Sequence, residues 1–232
     1  MAGETVLVFD LDDTLYLERD FAFSGFCAVG EWLRATKGIE AFSSHCEALF
    51  VAGRRSRIFD EALEKLGLPP DEKLIAALVD RYRHHTPTIT LAPDAQRYLN
   101  RDDGKCRRAI ITDGPAATQM AKIGALGLDR LVDHIICTDI WGRAFWKPHE
   151  RAFEATETWA GATGAQLVYV ADNPAKDFIA PRRRGWRTVQ IVRPDRVHVV
   201  EAAQPSHRAH VTIENFDQFD ACLAGLNSEP AD

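Results

Sequence analysis

Positive charge and long apolar runs are both scarce in this sequence. Its 232 residues include 28 Lys and Arg against 34 Asp and Glu, which gives a formal net charge of −6. A protein that wraps nucleic acid needs a positively charged surface, so we expect no nucleic-acid partner. No apolar run reaches the roughly 18 residues of a membrane helix, and three aspartates precede any signal-type segment. We therefore expect no membrane span and a cytoplasmic location.

Cysteine is sparse too, and its spacing excludes two classes of protein. The five cysteines are an odd number, and no two of them lie closer than nineteen residues: Cys27, Cys46, Cys106, Cys137 and Cys222. This pattern fits neither a disulfide framework nor a zinc site, so we expect reduced, mostly buried thiols. With 46% hydrophobic residues, the chain can form one sizeable core, or one core and a small second domain.

Strand-like and helix-like segments alternate along most of the chain. Short apolar, β-branched runs occur at 5–9, 108–111, 134–137, 167–170 and 188–192. Helical stretches that begin with proline follow three of them, at 115–126, 148–159 and 174–184. Such alternation is typical of βαβ units, so the sequence predicts an α/β fold with a doubly wound, Rossmann-like parallel sheet.

The segment 16–92 interrupts this alternation. It shows helix signals at 21–37, 40–52, 58–66 and 71–85, and no convincing strand. Glycines end the first three of these helices, and Asp71 is placed to cap the fourth. We therefore predict an inserted α-helical cap domain at 16–92, with the α/β core domain formed by 1–15 and 93–232.

Carboxylates, a hydroxyl group, an ammonium group and a glycine stand at the ends of the predicted strands and at the starts of the helices that follow them. They are Asp10 and Asp12 after the first strand, Thr112, Asp113 and Gly114 after the second, Lys147 at a helix start, and Asp172 and Asp177 after the fourth strand. In a parallel α/β sheet, ligands bind beyond the carboxyl ends of the strands, so we expect these residues to meet at one edge. Several carboxylates at one place repel each other, and a divalent cation relieves this repulsion.

The ligand chemistry indicates Mg²⁺. Oxygen donors without His or Cys suit this ion, which takes one or two carboxylates and keeps several waters. We expect Asp10 and Asp172 to offer carboxylates and Asp12 its main-chain carbonyl. Asp177 would orient metal-bound water or Lys147.

The same residues predict phosphoryl transfer. Charge on a phosphoryl group would be neutralised by Lys147 and Mg²⁺, and its oxygens would accept hydrogen bonds from Thr112 and from the N–H groups of Asp113 and Gly114. Asp10 would be the nucleophile and would form an aspartyl-phosphate. Asp12 would protonate the leaving alkoxide and then take a proton from the attacking water.

Four segments together resemble the ordered motifs of the haloacid dehalogenase-like hydrolases. They are DLDDTLY at 10–16, ITDG at 111–114, KP at 147–148 and ADNPAKDF at 171–178. The helical insertion after the first motif is similar to the helical-cap branch of that superfamily. The resemblance implies the roles given above. Members that cleave carbon–halogen bonds lack an aspartate at position 12, so Asp12 favours the phosphatase branch.

The sequence therefore predicts a Mg²⁺-dependent phosphomonoester hydrolase that acts on a small phosphorylated metabolite. Tyr16 and Arg19 directly follow the catalytic loop, and we expect substrate contact there. Two alternatives stay open, because the motifs do not separate acceptors: a phosphotransferase or phosphomutase acting on a sugar phosphate, and a non-catalytic module that binds a phosphorylated metabolite. The sequence leaves the oligomeric state open.

Overall fold

The chain forms two compact units. The computed structural model describes residues 5–101 and 106–228. The core unit comprises Met1–Glu18 and Thr90–Asp232, and the inserted unit comprises Arg19–Ile89. The predicted boundaries, after residues 15 and 92, each lie three residues from these divisions.

The core unit is built on one parallel sheet of six strands. The strands are β1 (Val6–Phe9), β2 (Arg107–Thr112), β3 (His134–Cys137), β4 (Leu167–Ala171), β5 (Arg187–Ile191) and β6 (Val211–Ile213), in the order β3-β2-β1-β4-β5-β6. The predicted α/β, Rossmann-like class is confirmed. The strand order reverses between β1 and β4, and ligands bind at such a switch point.

Four helices fill the inserted unit, as predicted. They are α1 (Glu18–Lys37), α2 (Phe42–Val51), α3 (Ile58–Lys65) and α4 (Glu72–His84). The Asp71 side chain caps α4 by accepting a hydrogen bond from the Leu74 N–H at 3.0 Å. Aromatic rings dominate the interior of the unit, where Phe26 stacks on Tyr82 with ring centroids 5.7 Å apart. A separate apolar core therefore holds these helices together.

The helices of the core unit depart from the predicted segments in informative places. They are α5 (Pro93–Leu99), α6 (Ala116–Ala125), α7 (Arg151–Ala160), α8 (Ile179–Arg183) and α9 (Phe219–Ser228). The helix predicted at 174–184 begins only at Ile179, because the residues before it form a turn. In this turn the Asp177 carboxylate accepts a hydrogen bond from the Asn173 N–H, and the Asn173 side chain accepts one from the Ala175 N–H, both at 3.0 Å. Such local side-chain bonds compete with helix formation.

Two further expectations concern membranes and thiols. Within 5–101 and 106–228, no helix is long and apolar enough to cross a bilayer. None of the five cysteines, which all lie in the described ranges, forms a disulfide; Cys46 and Cys137 are buried, Cys106 and Cys222 half-buried, and Cys27 exposed.

Candidate active site

The predicted site residues meet at the switch point of the sheet. Most of them line a cavity of about 460 Å³ in the core unit: Asp10, Asp12, Asp113, Gly114, Lys147 and Asp172. The Asp10 N–H donates to the Val170 carbonyl at 2.8 Å, which continues the pairing of β1 with β4 by one residue. This bond fixes the backbone of Asp10 directly beside the end of β4.

Lys147 lies completely buried between two carboxylates. Its Nζ is 2.6 Å from Asp10 Oδ1 and 2.8 Å from Asp177 Oδ1, and it donates to the Tyr169 hydroxyl at 3.0 Å. Burial alone would lower the pKa of Lys147, but the charges of Asp10 and Asp177 outweigh this and raise it well above its usual value. The ammonium group therefore stays charged next to Asp10.

Three carboxylates cluster beside this lysine. One oxygen each of Asp10, Asp172 and Asp177 lies within 4.8 Å of the others. Burial, followed by the nearby Asp177 and Asp10, raises the pKa of Asp172 to about 9. Burial also raises the pKa of Asp10 to about 6, because the charge of Lys147 offsets only part of the cost. The nearby lysines therefore supply too little positive charge to keep all three carboxyl groups ionised.

The cluster fits a divalent cation with oxygen ligands. Asp172 Oδ2 is buried, and no hydrogen-bond donor among the described residues reaches it. An oxygen-only donor set suits Mg²⁺, and the ion's charge would stabilise the ionised form of each carboxylate. The sequence predicts that Asp177 orients metal-bound water or Lys147, and the structure places Asp177 Oδ1 2.8 Å from Lys147 Nζ and groups its carboxylate with those of Asp10 and Asp172. Asp177 Oδ2 accepts a hydrogen bond from the Asn173 N–H at 3.0 Å.

The carboxylate of Asp12 is held by three donors. Lys122 Nζ lies 2.7 Å from Oδ1, Gln119 Nε2 lies 3.0 Å from Oδ2, and the Tyr16 hydroxyl donates to Oδ1. Burial alone would raise the pKa of Asp12, but Lys122 and these hydrogen bonds hold it below its usual value.

Tyr16 and Arg19 were expected to contact substrate. For Tyr16 this expectation needs correction, because its ring is 0% exposed and its hydroxyl is bound to Asp12. The ring therefore does not line the cavity. Arg19 begins the inserted unit, where its Nε lies 3.7 Å from Asp20 Oδ1, and its contact with substrate stays a prediction.

Three predicted phosphate-binding residues lie at the end of β2 and directly after it. Thr112 is buried, and its Oγ accepts from Gln119 Nε2 at 2.5 Å. The Asp113 carboxylate accepts from the Lys147 main-chain N–H at 3.1 Å, which ties the segment carrying Lys147 to the segment after β2. Gly114 has φ +121°, a conformation that favours glycine.

Several site residues are absent from the sequence prediction. Gln119, Lys122 and Lys176 line the cavity, and Tyr169 bonds to Lys147 beneath it. One available signal was the spacing of Gln119 and Lys122, which lie three residues apart and therefore on the same face of a helix. They are only 1% and 4% exposed, so two polar side chains occupy a buried face of α6.

These features define an α/β enzyme whose site combines carboxylates with a buried lysine at the switch point of a parallel sheet. The model of the haloacid dehalogenase-like hydrolase family matches residues 5–185. The chain belongs to this family of hydrolases, and the resemblance found in the sequence is confirmed.

Three known proteins illustrate the relationship. A glyceraldehyde 3-phosphate phosphatase of Pyrococcus abyssi is 30% identical over 192 residues, which are 79% of this chain and 79% of the relative. An (S)-2-haloacid dehalogenase of Xanthobacter autotrophicus is 31% identical over 111 residues, but these are 48% of this chain and 41% of the dehalogenase. A hydrolase of the family from Deinococcus radiodurans, solved with bound phosphate and sodium, superposes with a TM-score of 0.65 at 20% identity and covers 98% of both chains. The longer match supports the phosphatase branch.

Proposed function

We propose that this protein is a Mg²⁺-dependent phosphomonoester hydrolase that works through an aspartyl-phosphate on Asp10. The observation that carries the proposal is the pairing of a buried carboxylate, Asp10, with a buried ammonium group, Lys147, at 2.6 Å. Beside this pair lies an oxygen of Asp172 to which no described residue donates a hydrogen bond. A nucleophilic carboxylate needs neighbouring positive charge to approach a phosphoryl group, and this arrangement supplies part of it.

The residues of the chain would divide the reaction between them. Asp10 attacks phosphorus, and its new O–P bond forms as the ester P–O bond breaks. The pKa of Asp12 is low in the empty site, and the negative charge of a bound phosphoryl group would raise it so that Asp12 enters the reaction protonated. Asp12 gives this proton to the leaving oxygen and then takes one from the water that attacks phosphorus, as the bond between Asp10 and phosphorus breaks and phosphate leaves. Lys147 offsets negative charge on the phosphoryl oxygens, and the Thr112 hydroxyl donates to one of them.

The metal would be held by Asp10, Asp172 and the main-chain carbonyl of Asp12, with Asp177 beside it. When bound, Mg²⁺ supplies positive charge that offsets both the carboxylates and the phosphoryl oxygens.

The charges of the cavity favour a leaving group without a second anion. Each further cation that lines it faces a carboxylate: Lys122 on Asp12 at 2.7 Å, Lys176 on Asp113 at 3.1 Å and His198 on Glu18 at 3.3 Å. An anionic group on the substrate would therefore compete with a carboxylate for any of them. Glyceraldehyde 3-phosphate, which names the Pyrococcus abyssi relative, has an uncharged remainder and meets this condition.

A matched substrate pair tests the proposal. We expect Mg²⁺-dependent phosphate release from glyceraldehyde 3-phosphate with kcat/KM about tenfold above that for 3-phosphoglycerate, the effect of roughly 1.4 kcal/mol of unfavourable charge interaction. Asp10→Asn should release none. If kcat/KM for 3-phosphoglycerate equals or exceeds that for glyceraldehyde 3-phosphate, the proposed substrate class is wrong but the proposed hydrolase activity is not. If the wild type releases phosphate from no phosphomonoester, the hydrolase itself is wrong, and an isomerised sugar phosphate without net release would identify a mutase.

A further inference from the structure

One amide nitrogen connects two of the proposed catalytic groups. Gln119 Nε2 lies 3.0 Å from Asp12 Oδ2 and 2.5 Å from Thr112 Oγ1. Gln119 belongs to α6 and stands outside all four motifs, yet its side chain is only 1% exposed. It therefore links the segment after β1 to the end of β2 from within the protein interior.

The hydrogens of this amide account for both contacts. A glutamine side chain carries two N–H donors on one nitrogen, so one hydrogen can go to each acceptor. Because Thr112 Oγ1 accepts from Gln119, the hydroxyl keeps its single hydrogen to donate elsewhere, as the phosphoryl role requires. On Asp12, Gln119 donates to Oδ2, whereas Lys122 and Tyr16 donate to Oδ1. Gln119 thus determines the orientation of the second oxygen.

Close packing keeps the glutamine in place. A Cβ built on Gly114 would lie 3.2 Å from Gln119 Cδ, so the amide packs directly against the backbone that follows Thr112. A buried side chain in such close contact has few alternative rotamers. The amide is therefore prearranged for both acceptors.

We propose that Gln119 is a positioning residue for the first chemical step. This inference rests on the proposed function, in which the Asp10–phosphorus bond forms, the ester P–O bond breaks and the leaving oxygen takes the proton of Asp12. Gln119 neither attacks phosphorus nor transfers a proton itself. It acts by fixing the direction of the Asp12 carboxyl group and of the Thr112 hydroxyl.

Two substrates that differ in their need for a proton separate this role from a structural one. The leaving oxygen of an alkyl phosphate such as glycerol 3-phosphate needs a proton from Asp12, whereas the nitrophenolate of p-nitrophenyl phosphate leaves without one. Since kcat/KM covers the steps up to formation of the aspartyl-phosphate, we expect Gln119→Met to lower it about 100-fold for the alkyl ester and less than about tenfold for the aryl ester. A general loss of structure would lower both alike.

Matched variants complete the test. Met120→Leu changes a half-exposed neighbour on α6 and should leave both kcat/KM values unchanged. Gln119→Leu removes the N–H donors without adding a charge beside Asp12, so it should show the same selective loss and carries the test if Gln119→Met does not fold. Equal losses on the two esters, or none, in the folded variants would overturn the inference. Wild-type protein inactive on both esters would instead overturn the proposed function, and this inference with it.

Discussion

Replacing Arg193 with Met tests how the core unit holds the loop that carries Asp10 and Asp12. The Arg193 guanidinium is buried and donates two parallel hydrogen bonds to the Asp94 carboxylate, at 3.0 and 3.1 Å. Its Nε donates at 2.8 Å to the carbonyl of Thr14, in the loop itself. The variant leaves the Asp94 carboxylate buried without its cation, which costs about 3–5 kcal/mol in comparable pairs.

Urea unfolding and thermal melting measure this cost. We expect a loss of about 3–5 kcal/mol in the free energy of unfolding and a Tm lower by roughly 6–20 °C. Arg97→Met is the matched control, because Arg97 lies 2.6 Å from Asp217 but the two side chains are 57% and 53% exposed. Such an exposed pair contributes at most about 1 kcal/mol. If Arg193→Met loses no more stability than Arg97→Met, the reasoning about the buried pair is refuted.

The loss of stability in Arg193→Met should depend on pH, because it comes from the ion pair of Arg193 with Asp94. Burial alone would raise the pKa of Asp94, but hydrogen bonds from Arg193 and from the Phe216 N–H outweigh it and hold the pKa below 3.8. A carboxyl group with a lowered pKa stabilises the fold above its unfolded pKa, and that contribution disappears as the pH falls through the folded value. The difference between wild type and Arg193→Met should therefore be full at pH 7 and shrink below about pH 4.

Three further predictions concern the site. Burial raises the pKa of Asp172 to about 9, so the folded protein binds the proton of Asp172 more tightly than the unfolded chain does. In the presence of a chelator, the Tm should therefore fall as the pH rises from about 4 towards 9. A Tm that does not change over this range would contradict the prediction. Asp172→Asn should raise the Tm in chelator and abolish both the stabilisation by added Mg²⁺ and phosphate release, whereas an unchanged response to Mg²⁺ would exclude Asp172 as a ligand. Gly114→Ala should lose about 1–3 kcal/mol by urea unfolding, since φ is +121° and the new Cβ would meet Gln119 at 3.2 Å; the control Gly124→Ala, in a helix with open space around it, should lose none.

Much of the fold could be predicted from local patterns. The apolar runs at 5–9 and 167–170 correspond to β1 and β4. They could be recognised because a strand that is buried on both faces is apolar at nearly every position. Asp71 predicted the start of α4, since the cap needs only residues within one turn. The strand β6 was not predicted, because its three residues are too few to show a recognisable apolar pattern. It is identified as a strand by its hydrogen-bonded pairing with β5, which the local sequence does not reveal. Signals contained in one element were thus readable, and those that depend on a partner were not.

The site divides in the same way. Asp10, Thr112 and Asp172 could be predicted, because the end of a parallel strand fixes where a side chain lies. Gln119 and Lys122 could not be assigned a role, since their hydrogen bonds depend on how closely α6 packs against the segment after β1. For Asp177 the sequence left open whether the carboxylate orients Lys147 or metal-bound water, and in the structure it lies 2.8 Å from Lys147 Nζ and beside the carboxylates of Asp10 and Asp172.

The negative net charge of the chain and its proposed work on phosphate esters agree once the site is considered as a whole. Besides Glu18 and His198, which face each other, the site holds five carboxylates and three ammonium groups: Asp10, Asp12, Asp113, Asp172 and Asp177 against Lys122, Lys147 and Lys176. When all are ionised, the excess is two negative charges, which equals the charge of one divalent cation. Without the cation, the raised pKa values of Asp10 and Asp172 favour protonation instead. Proton release from these carboxyl groups and metal binding are therefore linked, and a phosphoryl group can approach Asp10 favourably only after the carboxylate charge has been neutralised.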